Sequence, residues 1–125
     1  MIASISRCSI AAVVAVGLLG AAQAETWRGW LSDEQCARSR ASGGIYTGTN
    51  PDCARKCVGD GANIVLIDAD HTAIVNIGNQ SPARQNVGDY VEIQGSFDAG
   101  QNLLHIDSLR LISKGVANCS RRVAH

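Results

Sequence analysis

The residues of this chain best suited to chemistry are four cysteines, Cys36, Cys53, Cys57 and Cys119. Cys53-x-x-x-Cys57 has the four-residue spacing that places two thiols on the same face of a helix. Four thiols can form two disulfides, a four-sulfur zinc site or a redox-active pair. The C-x-x-C spacing of a thioredoxin-like centre is absent from the sequence, so we do not expect that activity.

The start of the chain indicates the compartment. Residues 1–24 have the pattern of a cleaved export signal, with Arg7 near the start, the apolar stretch Ile10–Leu19 and the small-x-small site Ala22-Gln23-Ala24. The sequence predicts a periplasmic or secreted protein that begins at Glu25. The apolar stretch is too short for an ordinary membrane span, so no transmembrane segment is expected in the mature form.

Export favours disulfides, because they persist outside the cytoplasm. We predict that Cys36, Cys53, Cys57 and Cys119 form two structural disulfides. Cys53 and Cys57 are not expected to pair with each other, since positions four apart on a regular helix do not match bridge geometry. One of them would take Cys36 and the other Cys119, but the sequence does not decide which. The alternative is a metal-binding or thiol-redox envelope protein that uses the same four residues.

Other features do not suggest catalysis. His71 lies in a turn with Asp68 and Asp70, where we expect ordinary solvated side chains. The sequence contains no Ser-His-Asp set, HExxH motif, P-loop or dinucleotide fingerprint. We therefore predict a protein that is not an enzyme, with no cofactor and no metal site in the leading interpretation.

Charge and aromatic content bear on the partner. Loss of residues 1–24 removes one arginine and leaves ten basic residues against eleven acidic ones, a net charge of −1. No basic field is present to attract nucleic acid. Trp30, Tyr46 and Tyr90 are the candidate ligand-facing residues, and Trp27 and Phe97 are expected in the core. The predicted partner is an envelope protein, a glycan or a small ligand.

Three of the four cysteines are expected to lie on two short helices that follow the first strand. Thr26–Leu31 is a strand candidate. Ser32 to Gln35 matches a capping box, which predicts a helix through about Arg40. Asn50-Pro51 predicts a second helix. We assign 25–113 to one domain that includes a cysteine-bearing insertion at 32–60, followed by a tail at 114–125.

The rest of the chain is predicted to be β. Four further strands follow, with one helical turn near Ser81-Pro82: Ile64–Ile67, Thr72–Ile77, Tyr90–Phe97 and Leu103–Ile112. The last strand changes phase, because Leu104 and Ile106 share one parity and Leu109 and Leu111 the other. A β-bulge near Asp107-Ser108 would allow both pairs to face the core. The predicted fold is all-β, a small five-stranded OB-like barrel with a helical insertion after the first strand. An open five-stranded sheet is the alternative.

Several motifs resemble those of small secreted bacterial OB-fold-like proteins. The front motif is Trp30-Leu31-Ser32-Asp33-x-x-Cys36 followed by Cys53-Ala54-x-Lys56-Cys57-Val58 and Gly61-Ala62, and the back motif is Val87-Gly88-Asp89-Tyr90-Val91-x-Ile93-x-Gly95. The resemblance implies an exported OB-like barrel and implies no activity. Relatives carry histidine between the first two cysteines, whereas residues 37–52 here contain none. This departure speaks against a metal role that depends on such a histidine. The leading function is a non-enzymatic binding or structural module.

Overall fold

The computed structural model describes residues 24–115. Most of the predicted signal and the end of the tail, including Cys119, lie outside the described residues. The elements in chain order are β1 (Glu25–Asp33), α1 (Glu34–Ser42), α2 (Pro51–Gly59), β2 (Ile64–Asp68), β3 (Ala73–Ile77), a 3₁₀ helix (Ser81–Asn86), β4 (Tyr90–Asp98) and β5 (Leu103–Ser113). None of the helices in this part of the chain is long and apolar enough to cross a membrane.

The five strands form one mixed sheet, and the protein is mostly β as the sequence predicts. The strand order is β1-β2-β3-β5-β4, and β4 pairs with β1 again, so the pairings form a closed ring. Four of the five pairings are antiparallel. The parallel seam between β3 and β5 consists of two residue pairs, Asn76 with Leu103 and Ile77 with Leu104. The ring is therefore weakest at this seam.

The last strand contains the predicted bulge. Gln94 pairs with Ser108 while Gly95 pairs with Ile106, which leaves Asp107 as the extra residue. A second register shift, which leaves Ile112 as an extra residue, is not predicted by the sequence pattern. Past its first two residues β5 pairs with β4 alone within the described chain, so its far end is an edge.

The far end of β5 is only partly buried, although its apolar residues are predicted to face the core. Leu109 is half-buried against the main core. Leu111 lies opposite Val91 and so shares the core side of the sheet, as the bulge predicts, but it is 44% exposed because nothing covers this end of β5 within the described chain. Both residues lie beyond the part of β5 that β3 covers.

Two apolar clusters stabilise the sheet. The main cluster fills the ring with residues such as Leu31, Leu66, Val75, Val91, Ile93 and Leu104. The second lies on the other face of β2, where Ala37 of α1 packs on Val65 and Ile67. Every residue of β2 is buried, which explains its unbroken apolar run.

Both helices begin at side-chain caps. Asn50 caps α2 by accepting the Cys53 N–H, with Pro51 in the first turn, as predicted. The capping-box prediction for α1 is wrong by one residue. Asp33 is the cap and accepts the Cys36 N–H, while Ser32 is buried and hydrogen-bonds Thr49 through its hydroxyl. Ser32 still belongs to β1, and its side chain is packed inside the protein instead of capping α1.

Candidate functional site

The cysteine-bearing helices bring two thiols to one buried carboxylate. Asp33 ends β1, Cys36 lies in the first turn of α1, and Cys57 lies near the end of α2. One carboxylate oxygen and the two Sγ atoms all lie within 4.8 Å of one another. These three residues are called the thiol–carboxylate cluster below. Within residues 24–115 this is the one set of three metal-ligating side chains that converge so closely.

Backbone hydrogen bonds around Asn63 bring Cys57 to α1. The Ala62 N–H donates to the Cys57 carbonyl at 2.9 Å, which folds the chain back at the end of α2. One residue later the Asn63 carbonyl accepts the Glu34 N–H at 2.9 Å. The end of α2 is thereby joined to the start of α1. Ala54, 1% exposed in the main core, seats α2 against the sheet.

Asp33 is buried, and only one of its two carboxylate oxygens has a hydrogen-bond partner within the described chain. Its residue exposure is 0%, and its Oδ2 accepts the Cys36 N–H at 2.9 Å. Its Oδ1 has no hydrogen-bond partner within the described chain. No Lys, Arg or His side chain of residues 24–115 forms an ion pair with it. A buried carboxylate without a compensating charge is costly, so its position requires an explanation.

The carboxylate also affects the neighbouring thiol. Burial raises the pKa of the Cys36 thiol to about 11, and a hydrogen bond from the thiol to the Asp33 carboxylate and the negative charge of that carboxylate add to the rise. The nearby Cys57 and Cys53 contribute in the same direction. Asp33, Cys36 and Cys57, three groups able to carry negative charge, therefore converge, and no basic side chain of residues 24–115 forms an ion pair with Asp33. Such an arrangement opposes ionisation of Cys36 and favours a bound cation.

Cys53 does not belong to the cluster. Cys53 is exposed on α2, one turn before Cys57. Cys36, Cys53 and Cys57 are all free thiols in the described chain, so the predicted bridge from Cys36 to Cys53 or Cys57 is not formed there. The prediction for Cys119 falls outside the described residues. The two-disulfide scheme stays a prediction.

The candidate ligand-facing aromatics pack mainly on the protein. Trp30 and Tyr90 face each other across β1 and β4 with ring centroids 4.6 Å apart. Trp30 and Tyr46 also pack against the cluster beneath α1. The three residues keep partial exposure, but their contacts are those of packing. On the other face of β1, Trp27 is partly buried, and its ring centroid lies 4.7 Å from that of Phe97. Both rings pack against the main core, as predicted.

His71 is held by a local interaction. Its Nδ1 lies 2.7 Å from Asp68 Oδ2, and its backbone N–H donates to Asp68 Oδ1. Asp68 is 2% exposed while the His71 side chain is 74% exposed. The pair borders a cavity of about 420 Å³ that Trp27 and Asp70 also line. Both carboxylate oxygens of Asp68 thus have hydrogen-bond partners on His71, whereas Oδ1 of Asp33 has none within the described chain.

Sequence reasoning missed Asp33 as a site residue. The signal was present in the motif, because Asp33 and Cys36 are three residues apart at a helix start, where a cap side chain meets the first turn. The sequence did not show that Asp33 is buried or that Cys57 lies beside it. Both depend on how α2 docks.

The chemistry of the cluster is that of soft-metal ligation or thiol oxidation. Thiolate and carboxylate ligands suit zinc and related ions, and two adjacent thiols suit disulfide formation. Comparison with known proteins does not choose between them: no family model, no curated protein and no solved structure matches this chain.

Proposed function

We propose that this chain is an exported, non-enzymatic binding module whose ligand is a soft divalent metal ion, held by Asp33, Cys36 and Cys57. The observation that carries the proposal is the convergence of two thiols on the carboxylate of the fully buried Asp33, whose Oδ1 has no hydrogen-bond partner within the described chain. Among the sequence-based hypotheses, this one develops the metal-binding alternative.

Helix capping alone does not account for Asp33. A cap needs one acceptor oxygen, which Oδ2 supplies, and asparagine or serine performs the same role without a charge. The charge strengthens the cap and is favoured by the helix N-terminus, but only Oδ2 takes part, and Oδ1 is buried with no hydrogen-bond partner within the described chain. A cation bound by the carboxylate and both sulfurs would compensate the rest of that charge and lower the cost of ionising the thiols.

The spacing of the cluster suits a small metal ion. Zinc binds thiolate sulfur at about 2.3 Å and carboxylate oxygen at about 2.0–2.2 Å, which places tetrahedral ligands roughly 3.3–3.8 Å apart. The three ligand atoms lie within 4.8 Å of one another, so closing on zinc needs a movement of about 1 Å. The fourth position would be taken by water or by a further ligand.

The scaffold of this module is an OB-like barrel. The closed order of the strands, the short helix between β3 and β4 and the parallel seam between β3 and β5 support this assignment over an open sheet. Export is supported by the signal pattern at 1–24 and by the resemblance to secreted bacterial proteins. The site would therefore act in the periplasm or outside the cell.

Metal titration tests the proposal. Reduced, metal-free protein is titrated with Co²⁺, whose thiolate charge-transfer absorption reports sulfur ligation, and then with Zn²⁺ in competition with a chromophoric chelator. We expect one ion per chain. Cys36→Ser and Cys57→Ser should each lower the affinity by at least about 10–100-fold.

Cys53→Ser is the matched control, because Cys53 lies on the same helix as Cys57 but is exposed and outside the cluster. It should bind as the wild type does. Equal affinity in all four proteins, or absence of the thiolate absorption band, would contradict the proposal.

The second candidate is the leading interpretation of the sequence, a disulfide-stabilised module for a protein, glycan or small ligand. The approach of the Cys36 and Cys57 sulfurs favours it, since these two would form one of the two bridges. Intact mass of freshly exported protein, with and without reduction before alkylation, separates the two. A bridge between Cys36 and Cys57 that resists glutathione would favour this second candidate.

A further inference from the structure

The thiol–carboxylate cluster uses the same two sulfurs for two incompatible states. A thiolate donates its charge and lone pairs to a metal, whereas a disulfide sulfur carries no charge and is a poor ligand. Sulfurs that share a zinc ion lie about 3.8 Å apart, and sulfurs of a disulfide lie about 2.0 Å apart. The Sγ atoms of Cys36 and Cys57 lie within 4.8 Å of each other, so sharing an ion needs an approach of at most about 1 Å, and a disulfide needs an approach of at most about 3 Å.

We infer that Cys36 and Cys57 form a redox switch that controls metal binding at Asp33: the dithiol binds the ion, and the disulfide releases it. This inference rests on the proposed function and adds its regulation. The oxidant is a small disulfide such as oxidised glutathione.

The exchange proceeds in two balanced steps. One cysteine attacks the small disulfide, forms a mixed disulfide and expels one thiolate, which takes up the proton lost by the attacking thiol. The second cysteine then attacks the protein sulfur of the mixed disulfide, closes the Cys36–Cys57 bond and expels the second thiolate, which is protonated likewise. The two cysteines lose two electrons, and the small disulfide becomes two thiols.

Asp33 makes the switch reversible. In the dithiol form, a bound cation or the proton of the Cys36 thiol offsets the charge of the Asp33 carboxylate, but a disulfide offers neither charge nor a proton. Oxidation therefore leaves a fully buried carboxylate uncompensated, and this opposes the bridge. A bridge placed only for stability would have no reason to lie against such a group.

Zn²⁺ affinity is the first measurement. The full chain as exported is fully reduced or fully oxidised with glutathione, and Zn²⁺ affinity is measured for both forms. Oxidation should weaken binding by at least about 100-fold, since two of three ligands are lost. Cys53→Ser should respond in the same way, because its sulfur lies outside the cluster.

The second measurement is the position of the thiol–disulfide equilibrium. Protein is equilibrated in buffers of varied reduced-to-oxidised glutathione ratio, quenched by alkylation and analysed by intact mass. Wild type should interconvert within the range of the buffer. Asp33→Asn keeps a capping oxygen but removes the charge, so its bridge should need a ratio at least about 10-fold more reducing to open.

The outcomes separate the inference from the proposed function. Equal Zn²⁺ affinity in both redox forms would overturn the switch and leave metal binding intact. Absence of binding in the reduced form would overturn both. A bridge that no glutathione ratio opens, or an unchanged equilibrium in Asp33→Asn, would also overturn the switch, even where the reduced form binds Zn²⁺.

Discussion

Asp33 accepts the backbone N–H of Cys36 at 2.9 Å through one carboxylate oxygen, while its other oxygen is buried and has no partner within the described chain. One residue thus serves both as a helix cap and as an uncompensated buried charge. The two roles can be separated by mutation, because asparagine caps a helix as well as aspartate does.

We expect Asp33→Asn to be at least as stable as the wild type in reduced, chelator-treated protein, since the cap is kept and the charge is removed. Asp33→Ala removes the cap and should lower the free energy of unfolding by about 0.5–2 kcal/mol relative to Asp33→Asn. Urea denaturation followed by tryptophan fluorescence measures both. A large loss of stability in Asp33→Asn would show that the carboxylate has a favourable partner.

Cys36 should alkylate slowly at mildly alkaline pH. Burial raises its pKa to about 11, with the Asp33 carboxylate adding to the rise, so roughly one molecule in a thousand carries the thiolate at pH 8. Iodoacetamide labelling of reduced, metal-free protein, read by peptide mass spectrometry, should show a rate that climbs up to about pH 11. The exposed Cys53 provides the comparison, and equal rates for the two at pH 8 would contradict the prediction.

Glu92 should contribute stability that depends on pH. The hydrogen bond from Arg28 at 2.9 Å, with Arg110 at 3.2 Å, holds the pKa of Glu92 below its ordinary value of 4.5. A carboxyl with a lowered folded pKa stabilises the protein fully above its unfolded pKa and ceases to do so as the pH falls through the folded value. The urea midpoints of wild type and Glu92→Gln should therefore differ at pH 7 and converge on acidification. A difference that is independent of pH would argue against this ion pair.

Gly29 should not tolerate a side chain. A Cβ at this position of β1 would collide with the backbone carbonyl of Ile67 on β2. Gly29→Ala should cost about 1–3 kcal/mol, since the two strands would have to separate. Gly59→Ala is the control, because nothing lies within 4 Å of its Cβ at the end of α2, and it should be neutral or slightly stabilising. Thermal or urea unfolding that ranks the two variants in the opposite order would contradict the strand packing.

The start of the tail lies against α2. The Gly115 N–H donates to the buried Asp89 carboxylate at 2.8 Å, and the Gly115 backbone lies against Pro51 and Gly88. Cys119 is four residues further along, a span of at most about 14 Å.

We expect Cys119 to pair with Cys53 in oxidised protein, since Cys53 is the exposed thiol of α2 and Cys57 faces Cys36. Cys119→Ser should free one thiol on Cys53 and lower stability by about 2–4 kcal/mol. Peptide mapping under non-reducing conditions checks the pairing. A free thiol on Cys36 or Cys57 instead would show a different connectivity.

Much of the fold follows from local sequence. The period-two pattern of β4 and the Asn50-Pro51 cap predict elements that the structure contains. The change of apolar parity in β5 predicts the bulge at Asp107. These features depend on residues adjacent in the chain, whose backbone preferences and side-chain periods do not need a distant partner.

Tertiary structure decided what the sequence left open. It placed the cap on Asp33 instead of Ser32, because Ser32 is held in β1 by burial and by Thr49. It exposed Leu111, because β3 does not extend along that end of β5.

The candidate site itself is a product of docking. Asp33 and Cys36 are neighbours in sequence, but Cys57 joins them through the turn at Asn63 and the seating of Ala54 in the core. The sequence by itself determined most of the strands and helices and the spacing of the cysteines, while export stays a prediction. Burial of the Asp33 charge and the meeting of two thiols required the closed ring and the packed helices, because both are relations between segments that only long-range packing brings together.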